Sequence, residues 1–468
     1  MKMRFFTCLT LGMLALQAHS AEPRTAEPTK PKSTSISAKE YSVDLMQLYN
    51  ESRLEDPRVL AAYARSQAGE ERKKEAFGSL LPQISANAGG NRIKQVNEQI
   101  NQIYNSENYS VGLSQVIYNK ATWENYQKYK SMAKQSVSEA DEAQAEATVD
   151  LAQRYFAALA ADDELELVQA ERRATQKNLD RVSALYEKKY AMITDVLDLR
   201  ARVDVLAAQE VDARNQVSLS RVALSEIVGR PVTEKLSRVR SDVELKVSDE
   251  TLDSWVQLAR TNNPSIKANQ SAVEAAEAGV RGGKGGHYPT LSLNLSAQNT
   301  NEGYNNAVAP KTDSYVAGLQ LSVPIYSGGS TSARARGLYQ DQVSAEQQLE
   351  ATLRQVVKET TNAYLTADSS VEKIRANRNA LASAEQSSIA SEKAFTYGVV
   401  NAVDVLTSVQ NEFKARRDLL KTQYDFITNL FILNRWAGKL TAESVESVNV
   451  WLSNNSKTDL VPERNLKQ

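Results

Sequence analysis

The sequence is poor in the residues that carry most metal and nucleophilic chemistry. Its 468 residues include one cysteine, Cys8, and two histidines, His19 and His287. One cysteine cannot form an intramolecular disulfide, and so few imidazoles argue against a multi-histidine metal site. The scattered carboxylates form no recognisable catalytic set. We therefore expect no enzyme activity, no cofactor and no bound metal.

Net charge and long apolar runs are lacking as well. The 56 basic and 57 acidic residues give a formal net charge of −1, so no strong field attracts nucleic acid. Beyond the N-terminus, no segment has the ~20 uninterrupted apolar residues of a transmembrane helix. If this protein crosses a membrane, we expect it to do so with β-strands. The glycine-rich run at 281–286 departs from a phosphate-binding loop and predicts a flexible turn between a helix and a strand.

The N-terminus has the pattern of an export signal. Lys2 and Arg4 precede a short apolar stretch at 9–16, and small residues suited to cleavage follow it. We expect a signal peptide at 1–21, in preference to a buried N-terminal helix. The next residues, 22–39, are rich in Pro, Thr, Ser and Lys and predict a flexible leader.

The remaining chain repeats itself at long range. Pro57 recurs as Pro264, 207 residues later, and Asp195 recurs as Asp404, 209 residues later. We infer an ancient duplication of a whole domain, because the period is far longer than that of a short-repeat solenoid. The predicted organisation is a first structural repeat at 40–235, a linker at 236–249, a second repeat at 250–440 and a C-terminal tail at 441–468.

Each repeat is predicted to be mostly helical. A helix of moderate length is expected at 40–78 and again at 250–281. The segments 120–188 and 331–397 are dense in good helix formers, and each would reach roughly 100 Å as a helix. Helices of this length need partner helices along their whole length, so a bundle of long antiparallel helices is expected.

Two segments of each repeat alternate between apolar and small polar residues, as strands do. One apolar face suits either a half-buried soluble sheet or a membrane strand with a wet lumen. The alternating segments are 84–88, 109–113, 291–297 and 319–323. The segments that connect them, 94–107 and 300–313, are rich in Asn, Gln and Gly and predict long surface loops.

Four strands are too few for a membrane barrel, which needs at least eight. A single chain would leave open sheet edges in lipid, so several identical chains must each contribute strands. A dimer would supply eight strands and a trimer twelve, and the strand count does not choose between them.

Several short motifs, in order and in duplicate, resemble the TolC family of outer-membrane channel-tunnels. The motifs are the Asp-Pro and Asn-Pro helix starts and the segments 80–82, 191–196, 323–329 and 403–406. The resemblance implies a mixed α/β membrane protein: a homotrimer with a twelve-stranded outer-membrane β-barrel and a long periplasmic α-barrel. It also implies docking, through a periplasmic adaptor, to an inner-membrane pump or ABC transporter.

The resemblance places the functional residues at the tips of the long helices. Asp404 matches an acidic residue that faces the entrance, and repeated by symmetry it would favour cations. Thr407 replaces a second acid of the family. Thr194 and Asp195 match residues that hold the closed state by hydrogen bonds. The alternative is that the two aspartates simply cap helices, since Asp is favoured near helix N-termini.

The same tips are expected to meet the adaptor. Two parts of the polar latch that can hold family members closed are missing here. Val400 stands where the family can carry a basic latch residue, and the matching aromatic residue, Phe395, lacks a hydroxyl group. The predicted docking residues are Lys189, Tyr190, Tyr397, Gly398 and Val399. Tyrosines near the strand ends are predicted to lie at the membrane interface, the alternative being core or loop tyrosines. They are Tyr118, Tyr288, Tyr315 and Tyr326.

The predicted function is a passive duct that carries small molecules, secreted proteins or both across the outer membrane. The alternative from another class is a periplasmic coiled-coil scaffold or adaptor without a pore. The signal peptide and long helices fit the two equally well, and the alternating strands favour the duct.

Overall fold

The computed structural model describes residues 42–96, 101–240, 250–303 and 311–453, with positions 243 and 245–247 between the two halves. The predicted signal peptide and leader, and residues 454–468 of the predicted tail, lie outside the described residues. The boundaries of the two predicted repeats remain a prediction.

Long helices dominate the described residues. None of these helices combines the length and apolar character needed to cross a bilayer. In chain order they are α1 (Leu45–Glu55), α2 (Pro57–Gly78), α3 (Lys120–Glu187), α4 (Ile193–Val228), α5 (Leu252–Asn262), α6 (Pro264–Gly285), α7 (Ser330–Thr396), α8 (Ala402–Trp436) and α9 (Ala442–Asn449).

Four long strands and four two-residue strands accompany the helices. In chain order they are β1 (Ser42–Val43), β2 (Gln83–Val96), β3 (Asn101–Tyr118), β4 (Lys235–Leu236), β5 (Arg238–Val239), β6 (Thr290–Glu302), β7 (Lys311–Ser322) and β8 (Leu452–Ser453).

The two helices of moderate length are each interrupted by a proline, which corrects the single helices predicted at 40–78 and 250–281. Asp56 ends α1 with extended backbone, and its side chain accepts a hydrogen bond from the Arg58 amide to begin α2. Asn263 lies between α5 and α6 in the same way, and its side chain accepts a hydrogen bond from the Ile266 amide to begin α6. The residue before proline avoids helical backbone, and proline suits the first helical position.

The long helices agree with the sequence pattern. Helix α3 has 68 residues and α7 has 67, and each folds back through a short turn into a second helix. The side chain of Asn119 caps α3 by accepting a hydrogen bond from the Thr122 amide. Gly229, with φ of 77°, ends α4 in the left-handed conformation that glycine adopts without strain.

The four long strands form one antiparallel sheet with the order β2-β3-β6-β7. In the described residues this sheet corrects the loops predicted at 94–107 and 300–313, because 94–96, 101–107, 300–302 and 311–313 belong to strands. Residues 97–100 and 304–310 lie outside the described residues. Strands β2 and β3 stay paired as far as Val96 and Asn101, well inside the first of the two predicted loops. Cross-strand backbone hydrogen bonding satisfies this polar hairpin, so its Asn- and Gln-rich composition does not prevent strand formation.

The glycine-rich run before β6 is helical, which corrects the flexible turn predicted at 281–286. A Cβ at Gly283 would lie 2.6 Å from Leu338 of α7, and a Cβ at Gly285 would lie 2.8 Å from the backbone of Ala121 in α3. The missing side chains therefore let α6 approach its two neighbours closely. Composition suggested flexibility, whereas close helix packing explains the glycines.

The helices form a layer whose neighbours change along its length. Near the sheet, α3 and α6 pack between α2 and α7, and towards the turns α3 and α8 pack between α4 and α7. One side of the chain is therefore formed by β2, α2 and α4, and the other side by β7 and α7.

A belt of short elements crosses the helices near the middle. It consists of β1, β4, β5, α9 and β8, with β1 parallel to β4 and β5 antiparallel to β8. Its apolar side chains, including Val43, Leu236 and Val445, join Tyr155 and Phe426 in the largest core cluster. The predicted linker and the start of the predicted tail are thus folded against each other.

Candidate functional site

The turn of each helical hairpin ends its first helix with the same backbone motif. In the first turn the Lys189 amide donates to the Tyr186 carbonyl and the Tyr190 amide to that of Leu185, at 2.8 Å each. In the second turn Gly398 donates to Phe395 at 3.0 Å and Val399 to Ala394 at 2.9 Å. Each is a Schellman motif, whose central residue adopts positive φ.

The side chains predicted to meet an adaptor lie at these two turns and are exposed. Tyr190 is 81% exposed, Tyr397 is 82% exposed and Val399 is 76% exposed. Lys189 has a φ of 66° and Gly398 a φ of 73°. The turns therefore present apolar and aromatic groups to the surroundings. Their contact with an adaptor remains a prediction.

Asp404 stands in a capping box at the start of α8. Its Oδ2 accepts from the Asn401 amide at 3.3 Å, while its own amide donates to Asn401 Oδ1 at 2.8 Å. The side chain is nevertheless exposed. Capping and a position at an entrance are compatible, because the capping carboxylate lies at the helix N-terminus and is still exposed to solvent.

The other gate candidates lie in the first two turns of α4 and α8. Asp195 is the third residue of α4, half-buried, and Met192 before that helix offers no side-chain cap. Thr407 is exposed and donates to the Val403 carbonyl at 2.9 Å, and Thr194 is exposed. The structure thus brings Asp195 and Asp404 to equivalent places in the two hairpins.

Apolar side chains join the two hairpins near the turns. Val196 of α4 shares a cluster with Ala402 and Leu406 of α8. Phe395 packs against this cluster and also against a second one that contains Val405 and Phe413. The aromatic ring that lacks a hydroxyl group therefore contributes by packing and not by hydrogen bonding.

One face of the sheet is mostly apolar across all four strands, with Gln115 of β3 beside Leu293 as a polar exception. Cross-strand neighbours share a face, and one such row joins Ile84, Leu113, Leu295 and Ala317. Further rows on this face lie parallel to it. The first contains Leu291, and the last contains Ala297 and Tyr315. The six residue steps from Leu291 to Ala297, at ~3.4 Å each, give this apolar band a height of roughly 20 Å.

The predicted interfacial tyrosines lie at the two ends of this band. Tyr118 pairs with Leu291 at the end nearer the helices, where Tyr288 and Tyr326 also lie beside the strand ends. Tyr315 lies inside β7 near the other end. Tyr109 was not predicted as one of these tyrosines. It pairs with Asn299, which lies two residues along β6 from the partner of Tyr315. Tyrosines at two levels on one sheet resemble the aromatic girdles of membrane strands.

A buried carboxylate fastens the belt to the long helices. Asp163 of α3 is 1% exposed, lies 2.8 Å from Arg238 Nη2 and accepts a hydrogen bond from the Tyr424 hydroxyl of α8. Burial raises the pKa of Asp163 to about 6, against the opposing effect of Arg238. Across the part of the chain that is described, no group of three His, Cys, Asp or Glu side chains could hold a metal ion.

The long hairpins, the small sheet and the belt can be compared with known proteins. The family model described as outer membrane efflux protein matches residues 48–230 and 255–439. The chain belongs to the outer membrane efflux protein family.

Relatives and solved structures agree with this assignment. Outer membrane protein TolC of Vibrio cholerae is 28% identical over 422 residues, covering 89% of this chain and 95% of that protein. Alkaline protease secretion protein AprF of Pseudomonas aeruginosa is 26% identical, covering 87% of each. The crystal structure of VceC from Vibrio cholerae superposes with a TM-score of 0.75 at 16% identity, covering 84% of this chain and 96% of that one.

These findings confirm the predicted family, the mostly helical fold with a four-stranded sheet, and the function. This efflux family member is an outer-membrane export channel subunit. Its predicted location in the outer membrane is confirmed as well. The roles of individual tip and sheet residues remain predictions.

Proposed function

We propose that three copies of this chain close into one duct, with twelve strands in the outer membrane and the long helices in the periplasm. The main support is the position of the free edges. Strands β2 and β7 end the described sheet, and α2, α4 and α7 end the helical layer on the same two sides. A ring of identical copies pairs both kinds of edge at once.

The sides left for such neighbours are apolar in parts. Val211 and Val222 of α4 are 66% and 69% exposed, and Tyr63 of α2 and Leu365 of α7 are also exposed. Large exposed apolar groups along one side of a layer are typical of an interface. We therefore propose that α7 of one copy packs against α2 and α4 of the next.

The duct is passive and is closed at the hairpin turns. A ring of three Asp404 carboxylates would favour cations at the narrow end. A periplasmic adaptor would dock on the exposed turn residues, and an inner-membrane pump or ABC transporter would supply the energy. Because the relatives include a protease secretion protein and efflux channels, the proposed cargo is small molecules, secreted proteins or both.

Single-channel conductance in a planar lipid bilayer tests this proposal. Purified wild-type protein is expected to give stable, cation-selective conductance, and Asp404→Ala is expected to reduce the selectivity. A folded protein that stays soluble without detergent, does not bind lipid bilayers and gives no conductance would contradict the proposed duct. That outcome would favour the scaffold without a pore.

A further inference from the structure

All three basic residues of the four long strands lie on the face of the sheet that carries the apolar band. Arg92 and Lys94 of β2 are an even number of residues from Ile84, so their side chains share its face. Lys311 of β7 is likewise an even number of residues from Ala317, which belongs to the row of Ile84. The opposite face, with its small polar residues, has no basic residue in β2, β3, β6 or β7.

These basic side chains follow the apolar band at the end of the sheet that is farther from the helices. Lys311 lies in the row two residues beyond that of Tyr109, and Arg92 lies in the row after it. At ~3.4 Å per residue, the two rows are roughly 7 Å and 14 Å beyond Tyr109 along the strands. Membrane strands tilt by about 45°, so the heights are roughly 5 Å and 10 Å, which is the depth of the polar headgroup layer.

The basic groups have no partners of their own within the described part of the chain. There the side chains of Arg92, Lys94 and Lys311 form no ion pair, and all three are exposed. Long basic side chains near a membrane surface place their charged ends among the headgroups. Their charges are therefore available to anionic groups outside the protein.

The carboxylates of the same face lie closer to the apolar band than the outermost cations. Asp313 is in the row of Tyr109, where its Oδ1 accepts a hydrogen bond from the Asn299 side chain at 2.6 Å. Glu107 lies one row further out, beside Gly90. The two rows beyond Glu107 that contain Arg92 and Lys94 carry no carboxylate in the described strands, so the charge of this face becomes purely positive toward its outer end.

The proposed ring brings basic side chains of two copies together. Strands β2 and β7 are the two edges of the sheet, so β2 of one copy pairs with β7 of the next. Symmetric copies lie at the same height in the membrane. Arg92 and Lys94 of one copy then stand beside Lys311 of the next, and we call these three side chains the seam cluster.

We propose that each seam cluster binds an outer-leaflet lipid whose headgroup carries more than one phosphate. Lys311 and Lys94 are separated by two rows, or roughly 14 Å along the strands, which is more than one phosphate group spans. Arg92 can bind phosphate oxygens in pairs, whereas the lysines act as point charges. The acyl chains of the lipid would pack on the apolar band. The proposal rests on the proposed function, because the closed ring and its orientation place the cluster in the outer leaflet.

Binding of fluorescently labelled, bisphosphorylated lipid A to the detergent-purified full chain tests the proposal. The sheet variant combines Arg92→Gln, Lys94→Gln and Lys311→Gln. It is expected to bind about ten-fold more weakly than wild type, because charge-assisted hydrogen bonds to phosphate are lost. The affinity of wild type should also fall as the salt concentration rises.

A matched control removes the same charge from exposed positions of α3 near the first turn. It combines Arg173→Gln, Lys177→Gln and Arg181→Gln, and it is expected to bind the lipid like wild type. Equal affinity of wild type and the sheet variant would overturn the proposal. Equal weakening in the sheet variant and the control would also overturn it, since the effect would then be one of total charge.

Competition identifies the source of the phosphate. Unlabelled bisphosphorylated lipid A should displace the labelled lipid, whereas inorganic phosphate at the same phosphate concentration should not. Displacement by inorganic phosphate alone would make the cluster a site for free anions and would contradict the lipid proposal. Lipid A without its phosphates should bind about ten-fold more weakly, and unchanged affinity would contradict the proposal as well.

Single variants cover the case in which the sheet variant does not assemble. Arg92→Gln and Lys311→Gln should each weaken lipid binding several-fold, and wild-type affinity in both would overturn the proposal. Glu107→Gln, which removes a carboxylate from the same face, should strengthen binding.

Conductance distinguishes a failure of the lipid site from a failure of the duct. In bilayers of neutral phosphatidylcholine, the sheet variant should conduct like wild type, because the seam cluster faces away from the lumen. A conducting wild type whose lipid binding does not depend on the three basic residues would refute the lipid site alone. A wild type that gives no conductance would refute the proposed duct.

Discussion

The two hairpin turns have the same backbone and different side chains. In the second turn a glycine, Gly398, occupies the left-handed position at φ of 73°, whereas in the first turn Lys189 occupies it at φ of 66°. A residue with a Cβ pays roughly 1–2 kcal/mol for that conformation. The first turn therefore keeps its shape at a local cost that the second turn avoids.

The helix after the second turn is also better stabilised by local contacts than the helix after the first turn. Helix α8 begins with a reciprocal capping box between Asn401 and Asp404, whereas α4 begins after Met192 without a side-chain cap. The second turn is thus stabilised by its own hydrogen bonds, and the first depends more on packing by Val196 and Leu199. A turn that opens and closes as a unit benefits from local stabilisation, which fits the proposed closure of the duct at the hairpin turns.

The largest expected effect comes from removing the packing of the first turn. Leu199 is 1% exposed within the cluster that joins the hairpins, so Leu199→Ala should cost about 2–5 kcal/mol of local stability. Hydrogen–deuterium exchange of peptides around residues 186–200 should accelerate strongly. Leu197→Ala, at a 52% exposed position, is the control and should change exchange little. Similar effects of the two variants would show that the first turn does not depend on packing.

A pH titration tests the belt, where Asp163 is buried. The pKa of Asp163 is about 6 in the folded protein, above the ordinary aspartate value of about 3.9, so the folded state binds the proton more tightly. The resulting stabilisation is present at low pH and is lost as pH rises through about 6. The stability of wild type relative to Asp163→Asn should fall by up to about 3 kcal/mol between pH 4 and pH 7.5. Melting temperatures of the detergent-purified assembly measure this difference, and a pH-independent difference would refute the assignment.

Removing the cap of α8, or adding one to α4, should make the starts of the two helices more alike. Asn401→Ala should destabilise the start of α8 by about 1 kcal/mol, within a range of about 0.5–2 kcal/mol. Conversely, Met192→Asn places a capping side chain three residues before Asp195, on a backbone that is already extended. This substitution should stabilise the start of α4 by about 0.5–1 kcal/mol. Exchange rates at the two helix starts check both expectations, and a loss of stability in Met192→Asn would contradict them.

The smallest expected effect concerns the left-handed positions. Lys189→Gly should relieve strain and stabilise the first turn by up to about 1 kcal/mol, since glycine is unstrained there but gains entropy in the unfolded chain. Gly398→Ala should destabilise the second turn by about 1 kcal/mol. Relative to wild type, a higher melting temperature of Lys189→Gly and a lower one of Gly398→Ala would support the comparison. Melting temperatures that change in the same direction in both variants would contradict it.

The sequence predicted features that depend on local pattern. Proline- and glycine-free segments gave α3 almost to the residue, and period-two alternation located the core of β6. Features that depend on distant partners were missed. The polar ends of β2 and β3 are strands because they pair with each other, and Gly283 is small because Leu338 lies against it.

The ion pairs of Arg417 with Glu164 and Glu171 of α3 were also beyond the sequence. Charged residues on long helices most often form a solvated face. No spacing within α8 distinguishes Arg417 from Arg416, which contacts Glu385 and Glu412 of its own hairpin. Tyr109 escaped notice because its face becomes clear only once the cross-strand register is known. Asp404 and Asp195, in contrast, were correctly placed at equivalent turns by the internal duplication.

Closure at the turns is tested most directly by cross-linking them. Val196 and Ala402 pack in one cluster, so cysteines replacing the nearby Asp195 and Asp404 should form a disulfide in the closed duct. The remaining cysteine, Cys8, lies in the predicted signal peptide and should not interfere. Oxidation should abolish single-channel conductance and export, and reduction of the same sample should restore both. Undiminished conductance through the fully oxidised protein would contradict a duct that opens and closes at its helix turns.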